Sequence, residues 1–412
     1  MNVFMPADIL LPQVSDMSKW AVIACDQFSS NPAYWQRVRE TVSDAPSAIN
    51  LILPEAELGT PEEEAHTIKI NETMEQYQKD GIFKSYNDSL IYVERTLENG
   101  SVRKGLIGMV DLEAYDYTIG AVSPIRATEK TVVERIPPRM KVRRNAPVEL
   151  PHILMLCDDH EKKLIEPIAA IKEQLSVVYD FDLMEGGGHI IGRLVQGEVV
   201  AAFEQALSEY SAHVGEKYDG LPGVPMVFAV GDGNHSLATA KACYEELKAA
   251  NPGADLTRHP ARYALVELEN IHDEAQVFEP IHRVVFKTNT KKLLKDLEAV
   301  CAEDGFRVTW FVGDESGVIY LDRSKSQLAV GVLQSFLDEW MRENAGEIDY
   351  IHDEPDLRQL AMQDGAIGFL LPAMEKSQLF RGVIADGVLP RKTFSMGHAR
   401  EKRYYLEGRV IK

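Results

Sequence analysis

Pro225 to Ala242 reads PMVFAVGDGNHSLATAKA, and the fold of the chain turns on this stretch. Met226 to Val230 is an apolar run of the length of a buried strand. A tight polar loop follows, Gly231-Asp232-Gly233-Asn234-His235-Ser236. Leu237, Ala240, Tyr244 and Leu247 then recur at helical spacing. Strand, glycine loop and helix N-terminus in that order present backbone N–H groups and the positive end of a helix dipole to an anion. Asp232 and His235 add a carboxylate and an imidazole at the same point. A phosphate site is expected here, framed by Gly231, Gly233, Asn234 and Ser236.

A loop of this kind needs cationic partners, and the chain has a basic segment upstream. Ile125 to Asn145 reads IRATEKTVVERIPPRMKVRRN. Arg126, Lys130, Arg135, Arg139, Lys141, Arg143 and Arg144 crowd into it, and Pro137-Pro138 is expected to break any helix there. Arginine holds phosphate through paired hydrogen bonds, so Arg139, Arg143 and Arg144 are candidate ligands. The competing reading is a solvated face paired with nearby acids. Downstream, Pro280-Ile281-His282-Arg283 adds a histidine and an arginine beside a proline, although a lone histidine of this kind more often serves packing. Pro390-Arg391-Lys392-Thr393 adds a lysine near the C-terminus.

The background makes these clusters stand out. Lys and Arg total 44 against 64 Asp and Glu, a net charge of −20, which repels nucleic acid and anionic lipid. A hydrophobic share of 45% over 412 residues is that of a globular chain with several packed units. No apolar run approaches the roughly 20 residues of a membrane helix. The N-terminal stretch lacks a basic region and carries Asp8, so no signal peptide is expected. Cys25, Cys157, Cys243 and Cys301 form no CxxC pair and read as reduced thiols of a cytoplasmic protein. Nothing in the pattern sets an oligomeric state.

Elsewhere, short apolar runs predict strands at Trp20–Ala24, Ala48–Leu53, Pro151–Cys157, Tyr263–Leu268 and Ile367–Leu371. Asn99-Gly100 turns a hairpin between Ser89–Arg95 and Val102–Leu112. Gly186-Gly187-Gly188-His189 reads as a second hairpin turn and not as a dinucleotide fingerprint, which opens a helix after a strand. Helices are expected from Thr60-Pro61 to Lys79, over Glu161–Gln174, Glu198–Tyr210, Lys291–Glu303 and Leu328–Glu343. The division is into an N-terminal α/β part (1–120), a core with both the basic segment and the loop (121–287), a small α/β unit (288–348) and a C-terminal part that returns to the core (349–412). The P-loop, HExxH, GxSxG and kinase signatures are all missing.

Taken together, VGDGNHSLATA, YALVELENIHDEAQVFEPIHRVV and DGVLPRKTFS resemble the bacterial and archaeal family catalogued as domain of unknown function 1015 (DUF1015). That family shows a DGHHR loop, a later P-[TI]-H-R, an earlier H-E-x-T and a C-terminal P-x-K-[ST]. Asp232, Gly233, His235, Glu129, His282, Arg283 and Lys392 match. Asn234 and Ser236 depart from the loop pattern and Thr128 from the earlier one, which weakens a metal site built on loop histidines. The loop is also similar to that of the ParB and sulfiredoxin superfamily, which includes archaeal free serine kinases. The resemblance implies a mixed α/β fold with a ParB/sulfiredoxin-like core and phosphoryl transfer linked to serine or phosphoserine. In that reading the loop cradles the phosphate of ATP or ADP and His235 contacts a phosphoryl oxygen. Glu129 or Asp232 serves as base, and the other holds Mg²⁺. A non-catalytic sensor of a nucleotide or phosphorylated metabolite is the alternative. DNA binding of the ParB type fits poorly with the acidic charge.

Overall fold

The computed structural model describes residues 3–23, 28, 31–131, 133, 136–218 and 225–412. The fold is mixed α/β, built on one large mixed sheet of thirteen strands. Its path runs Tyr115–Asp116, Ile125–Ala127, Phe228–Asp232, Leu154–Cys157, Tyr263–Asn270, Val102–Asp111, Phe83–Thr96, Ala7–Pro12, Gly408–Val410 and Val148–Glu149. The Asn99-Gly100 hairpin forms as expected, with Ile91 opposite Ile107 and Thr96 opposite Val102. The Gly186–Gly188 turn joins Val177–Asp182 to His189–Val195, which extend the sheet from the side of Phe83–Thr96.

Side chains alternate between the faces of this sheet. Leu90, Tyr92, Leu106 and Val266 enter one apolar core, and Ile91, Val93, Ile107 and Leu265 enter another. Both faces are therefore covered, which is why these strands read as nearly continuous apolar runs. The first core continues into a second, antiparallel sheet of five strands, ordered Glu315–Leu321, Cys301–Val312, Ile367–Leu370, His282–Phe286 and Glu347–Ile351. This sheet draws strands from both sides of residues 288–348. A short ladder of Phe278–Pro280 with Phe394–Met396 lies between the two sheets in the chain path.

Several local expectations give way to packing. Met17–Trp20 is a helical turn, and Val22 makes one isolated bridge to Tyr405. Ala24, Cys25 and Arg135 lie outside the described residues. Ala48–Leu51 is a 3₁₀ turn capped by Ser47, not a strand. Ile136–Asn145 is helical despite Pro137-Pro138. Both prolines fall in the first turn, where the missing N–H groups have no intrahelical acceptor to lose. The expected helix over 161–174 is shorter, Glu166–Ala170 plus a 3₁₀ turn. That from Lys291 ends at Leu297 before Cys301 enters the sheet. No helix among the described residues is long and apolar enough to cross a membrane.

Candidate functional site

Strands Ile125–Ala127 and Phe228–Asp232 run parallel, with Arg126 opposite Ala229 and Ala127 opposite Val230. Thr128-Glu129 and Gly231-Asp232 therefore lie side by side at the strands' C-terminal ends, where open α/β sheets place ligands. The Thr128 hydroxyl donates to the Val230 carbonyl at 2.6 Å. Asn234 Nδ2 lies 3.4 Å from Thr128 Oγ1 and 3.4 Å from the same carbonyl. Two departures from the family pattern are thus direct neighbours. Asn234 Oδ1 is buried without a hydrogen-bond partner among the described residues.

Gly233 turns the chain into the helix Asn234–Ala250 with φ +78, and as glycine it brings no side chain to cap that helix. Its own N–H donates to Asp232 Oδ1 at 2.9 Å. A Cβ on Gly233 would stand 3.0 Å from Ile153 Cα, and one on Gly231 2.7 Å from Met396 Sδ. Gly233→Ala is expected to cost about 1–3 kcal/mol through the left-handed backbone alone. Urea unfolding measures this, and a wild-type midpoint would show that the loop relaxes freely.

Asp232 Oδ2 lies 3.3 Å from Lys402 Nζ. Burial works to raise its carboxyl, but Lys402, His152 and the Gly233 N–H outweigh burial and hold it below the usual carboxylate range. The Lys402 backbone is pinned by Arg95, whose buried guanidinium donates to the carbonyls of Gly187, Arg400, Glu401 and Lys402. His352 is pushed down by burial and then by Lys392 and Lys402 together, so both lysines stand near one imidazole. Sequence reading missed Lys402, His152 and His352. The basic character of Arg400–Lys412 was the available signal for Lys402.

The remaining motifs converge on the same place. Glu129 bridges Leu389 in parallel, and Leu389 N donates to the Thr128 carbonyl at 2.7 Å. Pro390–Thr393 therefore follows the chain of Glu129–Thr131. Lys392 holds φ +54, unusual for a residue with a side chain. Arg283 secures this segment from below. Its guanidinium donates to the carbonyls of Ile281 at 2.5 Å, Lys392 at 2.8 Å and Arg391 at 2.8 Å, and to Gln334 Oε1 at 3.0 Å.

Four expected phosphate ligands change role. Arg283 is fully buried and its donors are taken by these acceptors, the Lys392 carbonyl among them. His282 is buried, its Nδ1 accepts from Leu371 N at 3.2 Å, and burial drops its pKa to about 4. Arg144 pairs with Glu246 at 2.6 Å on the surface. Arg143 pairs with Glu149 at 2.6 Å. With Lys141 on Glu63 at 3.0 Å, much of the basic segment is an ion-paired helix face. Arg139 and Arg143 nonetheless line a cavity of about 150 Å³ that reaches Ser236 and Thr239 on the loop's helix.

The residues present do not build a cage for Mg²⁺. Among the described residues no three His, Cys, Asp or Glu side chains gather around a point, and the Asp232 carboxylate already carries the Lys402 ammonium. Cys157, Cys243 and Cys301 are free thiols.

These features define a mixed α/β protein whose strand–glycine loop–helix element carries a carboxylate held by Lys402. The chain belongs to the DUF1015 family, described as protein of unknown function, whose model matches residues 8–387. No curated protein matches it. Among solved structures, a free serine kinase in complex with AMP is similar at 11% identity and a TM-score of 0.37, over 72% of this chain and 90% of that one. SbnI with C-terminal truncation from Staphylococcus aureus is similar at 10% identity and a TM-score of 0.36, over 71% and 83%. A conserved hypothetical protein from Pyrococcus furiosus is similar at 12% identity and a TM-score of 0.33, over 72% and 90%.

Proposed function

We propose that this chain is a small-molecule phosphotransferase that holds the phosphate of a nucleotide or related donor at the 231–236 loop. The observation that carries the reading is the helix start after left-handed Gly233, which follows a strand paired in parallel with Ile125–Ala127, two residues before Glu129. Phosphoryl transfer asks for positioning and charge neutralisation more than covalent chemistry. The N–H groups of the first helical turn and the Ser236 hydroxyl receive phosphate oxygens, and His235 contacts the transferring group. Lys402 and Lys392 balance the developing charge. Glu129 or Asp232 is the base. It takes the proton of the acceptor hydroxyl as that oxygen bonds to phosphorus, and the donor's bridging P–O bond breaks. Mg²⁺, if it takes part, arrives with the donor's phosphates, since magnesium commonly keeps only one or two protein carboxylates. Serine is the first acceptor to try.

A second reading, a sensor that binds the same ligand without turnover, draws on the Asp232–Lys402 pair, which occupies one of the two candidate bases. A thermal-shift panel of ATP, ADP, pyrophosphate, serine and phosphoserine, with and without Mg²⁺, separates the readings. A shift with product release supports transfer, and a shift without it supports the sensor. Absence of any shift with a phosphate compound sinks both. Glu129→Gln and His235→Ala are expected to lower turnover by about 100-fold or more while leaving the melting midpoint near wild type. A collapse of stability in either variant would assign that side chain to the framework instead.

A further inference from the structure

The cavity beside the loop says what kind of molecule the phosphate belongs to. It lies between the 3₁₀ turn Ala48–Leu51, the helix Ile136–Asn145 and the first turns of Asn234–Ala250. Its walls are apolar, with Leu51, Ile52, Met74, Val142, Val148 and Ile411 among them. Polar lining comes from Ser236 and Thr239 on the loop's helix and from Arg139, Arg143, His152 and Tyr405. Glu149 is the one carboxylate of the lining, and its charge is taken by Arg143 at 2.6 Å and Arg409 at 2.8 Å. The cavity volume, about 150 Å³, is that of a cavity known to admit a benzene-sized group.

We infer that the ligand is a phosphate monoester bearing a ring-sized apolar group, which seats in this cavity while the phosphate sits at Asn234–Ser236. The inference rests on the phosphate reading of the loop and names the substrate class for it. A largely apolar pocket with a few polar groups fixes both the body and the orientation of such a ligand. O-phosphoserine, whose side chain is one methylene and the phosphate, would leave the cavity unfilled.

Isothermal titration of the full chain with inorganic phosphate, O-phosphoserine and phenyl phosphate tests this. Phenyl phosphate is expected to bind at least about tenfold more tightly than either of the others, from burial of the ring. Val142→Phe and, separately, Ala146→Leu fill the cavity and are expected to erase that preference while inorganic phosphate still binds. The wild-type comparison stands even where a filled variant folds poorly. Equal affinity for all three probes overturns the cavity assignment and leaves the phosphate reading intact. Failure of all three to bind overturns the phosphate reading and this inference with it.

Discussion

Arg283→Met is expected to lower unfolding stability by about 4 kcal/mol, with loss of phosphate binding following from the same change. The side chain is fully buried and its donors meet three carbonyls and one amide oxygen. Methionine of similar length fills the volume but leaves those acceptors without donors, and each orphaned buried group costs about 1–3 kcal/mol. Two of the carbonyls belong to Arg391 and Lys392, so the segment that holds Lys392 at φ +54 loses its anchor. Arg283→Lys recovers little, because an ammonium cannot reproduce the planar fork. Urea denaturation reads the first effect and phosphate titration the second. Wild-type stability combined with lost binding would return Arg283 to a direct ligand role.

His282 sets a pH dependence of similar size. Burial lowers its pKa from 6.5 to about 4, with Glu354 opposing and Arg283 assisting, and Asp353 and His352 also face it. The folded state therefore binds fewer protons than the unfolded state between these values. The contribution is fully present above pH 6.5 and is lost as pH falls through 4, a total of roughly 3 kcal/mol. His282→Asn keeps an acceptor near the Nδ1 position for Leu371 N but does not titrate. Unfolding measured at intervals from pH 8 to pH 4 is expected to show a shallower acid slope in this variant than in wild type. His352, also depressed by burial, acts in the same direction in both proteins, so the difference between the two curves belongs to His282. Parallel curves would mean that the imidazole is solvated and free to protonate.

The motifs show where sequence reading reaches its limit. Asp232, Gly233 and the helix from Asn234 were legible because a short apolar run, two glycines and a 3.6-residue repeat act over neighbouring residues. The hairpins at Asn99-Gly100 and Gly186–Gly188 were legible for the same reason. The prolines of Ile136–Asn145 misled because proline's effect depends on its place within the helix, and that place is set by where the chain enters it. Arg283 and His282 were recognisable as a unit but not as buried, since a motif carries residue type without orientation.

By itself, then, the sequence determined the family, the order of the motifs, the hairpins and the glycine loop with its helix, all features written in local spacing. Tertiary structure alone decided which charges meet. Parallel pairing of Ile125–Ala127 with Phe228–Asp232 set Glu129 beside the loop across about a hundred residues, and Arg95 drew the C-terminal tail across the sheet so that Lys402 reached Asp232. Such contacts follow from strand order and burial, and desolvation then assigns each ionisable group either to the framework or to the site.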